Sequence, residues 1–161
     1  MRLKAMAKIN LGLDVLGKRE DGYHEVRMIM QTIRMYDILD IRKTRRPGIV
    51  LTTNLPFIPT DQRNLVYKAA QMLMEEFDVE EGLSIKLRKF IPVAAGMAGG
   101  SSDAAAAFVG VNRMFHLGLT EEQLMERAVK VGADVPYCIM RGTALAEGIG
   151  EKLTRRSEER R

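Results

Sequence analysis

A chain of 161 residues, 46% hydrophobic and 29% charged, is the size of one domain with its own core and has the composition of a folded rather than a disordered protein. No apolar run approaches the roughly 18 residues a membrane-spanning helix needs, the polar start Met1-Arg2-Leu3-Lys4 does not read as a secretory leader, and the single Cys138 excludes an internal disulfide, so a cytoplasmic protein is expected. The formal charge of +4 falls by two when the last seven residues, with four Arg and two Glu, are set aside, which leaves little argument for a nucleic-acid partner.

Lys4–Val15 reads as a first strand, and Lys18–Tyr23 as a turn marked by Asp21-Gly22. His24–Ile33 and Asp37–Arg42 read as two strands, the first with Val26, Met28 and Met30 alternating against Arg27, Ile29 and Gln31. After the turn Arg45–Gly48, Ile49–Thr53 is β-rich and Leu55–Asn64 is a proline-containing loop. Leu65, Ala69, Met72, Leu73 and Phe77 fall at helical spacing. Leu83–Leu87 alternates again. A second helix is predicted from about Ser102 to Phe115 on the strength of Ala104–Ala107. Thr120-Glu121-Glu122-Gln123 is a capping box opening a third, which Gly132 ends. Tyr137–Met140 and Thr143–Ala146 read as a hairpin around Arg141-Gly142. Strands first, then helices mixed with strands, predict an α+β fold. The tail 155–161 has nothing apolar to bury and is expected to be disordered.

The stretch that carries chemistry is Pro92-Val93-Ala94-Ala95-Gly96-Met97-Ala98-Gly99-Gly100-Ser101-Ser102, directly before the alanine-rich helix. Small residues let backbone N–H groups converge and let a ligand approach. The two serines are positioned to cap the helix, and its N-terminus adds free N–H groups and the positive end of its dipole. Together these suit a polyphosphate. Neither the Gly-x-x-x-x-Gly-Lys-Ser/Thr nor the Gly-x-Gly-x-x-Gly pattern is present. Taken alone, the stretch reads as readily as a close-packing turn.

Further segments stand along the chain: Lys8-Ile9-Asn10, Arg19-Glu20-Asp21-Gly22-Tyr23-His24, Gln62-Arg63-Asn64-Leu65, Gly132-Ala133-Asp134 and Gly142-Thr143-Ala144 with Gly150-Glu151. In this order, together with the Gly/Ser-rich stretch, they resemble the GHMP small-molecule kinases over essentially all of residues 1–153. The likeness is strongest to members acting on a cytidine-diphosphate-linked methylerythritol in non-mevalonate isoprenoid biosynthesis. The resemblance implies the ribosomal protein S5 domain 2-like fold of a GHMP kinase N-terminal domain over residues 1–154. It also implies transfer of the γ-phosphoryl of ATP, with Mg²⁺ carried on the nucleotide and Ser101 or Ser102 its nearest ligand, to an alcohol of a small-molecule substrate.

By that likeness Asp134 is the catalytic base and Lys8 stabilises charge beside the acceptor hydroxyl. Asn10, Tyr23 and His24 hold the acceptor, and Asn64 lines the adenine pocket with Pro92–Ser102 as the phosphate cradle. No dedicated metal site is expected. Each residue also has a plainer reading: Asp134 as a turn aspartate, Lys8 as a solvated strand lysine, His24 as a surface histidine and Asn64 as a helix N-cap. Ala94 and Ala95 stand where many relatives have glycine, which requires negative φ at both. Family members continue into a second domain, so the expectation is a chain without it, impaired as an enzyme and self-associating through the surface left bare. Two other readings stay open: a nucleic-acid-binding module on an S5-like fold, and a catalytically silent fragment that dimerises.

Overall fold

The structure, a computed structural model, describes residues 1–18, 20, 22 and 24–156. Six strands and four helices follow one another as β1 (Arg2–Lys18), β2 (His24–Thr44), β3 (Ile49–Thr53), α1 (Leu65–Glu76), β4 (Gly82–Arg88), α2 (Gly99–Phe115), α3 (Glu121–Ala128), α4 (Val135–Met140), β5 (Thr143–Gly148) and β6 (Lys152–Arg156). The fold is α+β, as the element order predicts.

β2 is the spine of the sheet. One edge pairs antiparallel with β1 along nearly its whole length. The other edge is shared: Val26–Gln31 pair with β5, and Ile38–Thr44 pair with β4. β3 runs parallel to β4, and β6 closes the far side against β5. Between its β5 and β4 partners, β2 leaves residues 32–37 without a ladder on that edge.

Period-two alternation sets the core. Leu39 and Ile41 of β2 and Leu83, Ile85 and Leu87 of β4 turn to the face covered by α1 and α2. From the helices, Val66, Ala69, Ala70 and Leu73 meet Ala104–Phe108 and Val111, all buried. The alanines let α2 lie close to the sheet. Gly110 takes this furthest, because a Cβ there would stand 2.5 Å from Ile41 and 2.6 Å from Leu3.

Four expectations are corrected. β2 is one strand of 21 residues rather than two. The irregular stretch around Arg34–Tyr36 is a bulge, where pairing passes from Met6↔Tyr36 to Lys8↔Thr32, so that two steps on β1 match four on β2. Tyr137–Met140 belongs to α4, which has Pro136 in its first turn, and the hairpin is instead β5–β6. Gly132 lies beyond the end of α3, which stops at Ala128. The expected disordered tail overlaps β6: Arg155 and Arg156 pair with Ala144 and Thr143, and Arg155 donates to Glu121 and to the Met140 carbonyl.

Candidate active site

β1 delivers Lys8 to the interior side of the hairpin, where its side chain is buried, not solvated. Its ammonium donates to Asn10 Oδ1 at 3.0 Å and lies 3.5 Å from Asp134 Oδ2. Asp134 stands at the N-cap of α4 but makes no side-chain capping bond, so its carboxylate is left for Lys8 and for solvent. Two residues of β1 and one from the start of α4, far apart in sequence, thus form one polar group. The Lys8 backbone N–H donates to the Met97 carbonyl at 3.1 Å, which fastens the group to the Gly/Ser-rich loop. Cys138, one turn into α4 from Asp134, is sealed in the core, and burial pushes its thiol up to about 12. It is a packing residue rather than a nucleophile.

The loop itself is open. Pro92–Gly96 are exposed, and the loop walls a cavity of about 390 Å³ together with Ile58, Pro59, Arg63, Asn64, Leu65, Leu87, Lys89, Gly99, Gly100 and Asp103. That is the size range of small-molecule sites. The polar side chains around it are those of Arg63, Asn64, Lys89 and Asp103. Asn64 plays the plainer role assigned to it: its side-chain carbonyl caps α1 by accepting from Val66 N–H at 2.9 Å, and its amide donates to the Pro59 carbonyl at 2.8 Å. It also lines the cavity.

Three details of the loop differ from expectation. α2 begins at Gly99, three residues early, so Ser101 and Ser102 lie inside its first turn and neither caps it. Ser102 is buried and donates its hydroxyl back to the Gly99 carbonyl at 3.0 Å, while Ser101 is half-buried. Ala94 does not have negative φ: it sits at +60°, and Ala98 at +54°. Left-handed alanine costs about 1 kcal/mol, so the loop holds this shape against a local preference.

Of the acceptor-site residues, Asn10 is beside Lys8. His24 is exposed at the far end of the β1–β2 arm, paired with Lys18. Asn10 pairs with Met30, six strand positions from His24, a separation of about 20 Å. Tyr23 lies outside the described residues. Leu11, Leu13, Val15, Leu16 and Ile29 are exposed along the same arm.

Beneath the loop lies a cluster that the motifs do not mark. Lys89 donates to Asp37 and, at 2.6 Å, to Asp103 Oδ2; all three side chains are buried. Asp37 Oδ1 accepts the Phe90 and Ile91 N–H groups. Asn54 clamps the Lys89 backbone from both sides, at 2.7 and 3.1 Å. Burial, with Asp37 nearby, raises the Asp103 carboxyl well above its ordinary range against the pull of Lys89, and its Oδ1 has no partner. The signal was present in the alternation. Asp37 shares a face with Leu39 and Ile41, and Lys89 continues the buried row Leu83, Ile85, Leu87.

Fold and site together define a class. Residues 64–142 match the family model described as GHMP kinases N terminal domain, and the fold is that of such a domain. Curated relatives named 4-diphosphocytidyl-2-C-methyl-D-erythritol kinase are similar to it. The one from Lachnospira eligens is 57% identical over 96% of this chain and 54% of its own length. That from Lachnoclostridium phytofermentans is 59% identical over 94% and 52%. The chain therefore spans about half the length of the curated relatives it matches. A crystal structure of 4-(cytidine 5'-diphospho)-2C-methyl-D-erythritol kinase superposes with a TM-score of 0.84 at 35% identity, over 96% of this chain and 54% of that one. Mevalonate kinase from Methanococcus jannaschii, at 16% identity and a TM-score of 0.75 over 99% and 56%, shares the fold. No helix among the described residues is long and apolar enough to cross a membrane.

Proposed function

We propose that this chain is the nucleotide-binding half of a kinase that phosphorylates an alcohol of 4-diphosphocytidyl-2-C-methyl-D-erythritol with ATP, in non-mevalonate isoprenoid biosynthesis. The observation that carries the reading is the tie between Lys8 and Met97, which sets the Lys8–Asn10–Asp134 group against the mouth of the loop cavity. Phosphoryl transfer needs this juxtaposition of a phosphate cradle and an acceptor group.

In this reading the loop Pro92–Ser102 and the start of α2 receive the ATP phosphates, and Asn64 and its neighbours border the adenine. Asp134 orients the acceptor hydroxyl and takes its proton, while Lys8 holds Asp134 and balances charge developing between donor and acceptor. Asn10 contacts the methylerythritol portion and His24 the cytosine at the end of the arm; Tyr23, outside the described residues, is assigned to the cytosine by the family likeness alone. Mg²⁺ would be carried on the nucleotide phosphates, where it would neutralise their charge. Ser101 is the hydroxyl left for it, since that of Ser102 is committed to Gly99.

The 161 residues are proposed to bind nucleotide by themselves and to need the remaining half of the relatives' length for full turnover. The test is titration of the chain with ATP and, separately, with an oligonucleotide over a range of salt. Saturable, Mg²⁺-dependent ATP binding supports the kinase reading. Binding only to the oligonucleotide, with a steep salt slope, overturns it.

A further inference from the structure

A lysine at the lip of a glycine-rich loop invites the reading of a phosphate-binding cation. Lys89 is already engaged: two of its three N–H donors go to buried carboxylates, and its side chain is 5% exposed. A buried ion cluster adds little net stability over apolar residues of the same volume. Its place in the fold is therefore the informative feature. Asp37 comes from the gap in the β2 ladder, Lys89 from the residue after β4, and Asp103 from the early turns of α2. The same Asp37 carboxylate accepts the N–H groups of Phe90 and Ile91, the two residues leading into Pro92. Gly99 fits this arrangement, because a Cβ there would stand 3.2 Å from the Lys89 ammonium and 3.1 Å from Ile91.

We propose that Lys89 is a positioning residue for the nucleotide site: its ammonium, gripped by Asp37 and Asp103, locks the entry of the loop to the first turns of α2, so that a loop containing left-handed Ala94 and Ala98 keeps one shape. The proposal rests on the phosphate-cradle reading for its ligand, but not for the loop geometry itself. It explains why three charges occupy core-facing positions beneath an otherwise exposed loop. It also separates two tasks, since Lys89 shapes the cradle without being a cation that the phosphates touch.

The experiment uses the chain with Mg²⁺ and a non-hydrolysable ATP analogue, read by calorimetry, and amide exchange at residues 93–100 without ligand, read by NMR. Lys89→Met is expected to weaken analogue binding at least tenfold and to speed loop exchange at least tenfold. Because Lys89→Met leaves two buried carboxylates unpaired, a second variant removes every charge: Asp37→Asn with Lys89→Met and Asp103→Asn. It is expected to unfold cooperatively and to keep core exchange in β4 unchanged, yet to show the same loop and affinity losses. Wild-type loop exchange and affinity in that variant overturn the proposal. So does failure of that variant to fold, which would make the cluster a stability element only. If the unsubstituted chain does not bind the analogue, the nucleotide reading falls, and loop exchange alone decides whether Lys89 positions the loop.

Discussion

Two lysines flank the glycine-rich loop, and each meets carboxylate in a different setting. Lys8 is buried, but its partner Asp134 keeps about a third of its side chain exposed, at 3.5 Å. Lys89 is closed in by two carboxylates that are themselves buried. Solvent access and a loose contact suit the ligand-facing role proposed for Asp134. The sealed contacts of Lys89 fix geometry and leave no group for chemistry. In the proposed reading, identical residue types thus do opposite work, and burial of the carboxylate partner distinguishes them.

The comparison is broken most severely at Asp134. In the chain extended to its relatives' full length, Asp134→Ala is expected to lower kcat about 10²–10⁴-fold, the usual scale for a positioned proton acceptor. The urea midpoint should fall less than in Lys89→Met, since Asp134 makes no capping bond and the buried Lys8 ammonium keeps Asn10 Oδ1 as a partner. Activity within tenfold of the unsubstituted protein would remove Asp134 from the role of base. The closed cluster should behave in reverse. Lys89→Met strands two buried carboxylates and is expected to cost about 3–5 kcal/mol in chemical denaturation. Lys8→Met, which leaves only a solvent-reachable Asp134, should cost less than half as much.

Acidity sharpens the contrast further. The folded Asp103 carboxyl lies above its unfolded value of 3.8, chiefly through burial. The folded state therefore holds this proton more tightly than the unfolded state. The stabilisation is complete below pH 3.8 and is lost as pH rises through the folded value. Asp103→Asn removes that contribution, so its stability should fall less than the parent's as pH is raised from 4, measured by denaturation at a series of pH values. An identical pH profile in the variant would mean that Asp103 does not titrate as its burial requires. The smallest effect is expected at Ala94, whose φ is +60°. Ala94→Gly should stabilise the chain by up to about 1 kcal/mol, or speed loop exchange through added freedom, depending on how firmly the cluster beneath holds the loop.

Most of the fold was legible because its signals are local. β-rich composition gave β3, and alternation gave β4 and the start of β2; the Thr120 capping box opens α3 as read, with both reciprocal bonds present; and Asn64 caps α1. What escaped depended on tertiary pairing. The bulge in β2 looked like a break because its partner strand could not be seen. Val135–Met140 looked like a strand because a six-residue apolar run has no period long enough to separate helix from strand. At the site, the motifs singled out Lys8, Asn10 and Asp134, and the structure places the three side chains next to one another. The serines were misassigned as caps because the left-handed turn at Ala98 starts α2 earlier. Asp37, Lys89 and Asp103 went unread although each sits on a core-facing row, since a charge in an apolar register is informative only once its neighbours are taken as buried.

The central claim is that the loop and the start of α2 form a nucleotide cradle beside Lys8 and Asp134. It is tested most directly by mapping backbone amide shifts as Mg²⁺ and an ATP analogue are titrated into the chain. The account predicts saturable shifts concentrated at residues 93–103 and around Asn64, with the exposed β1–β2 arm unmoved. Absence of saturation at millimolar analogue, or shifts confined to the arm or to β6, would contradict it.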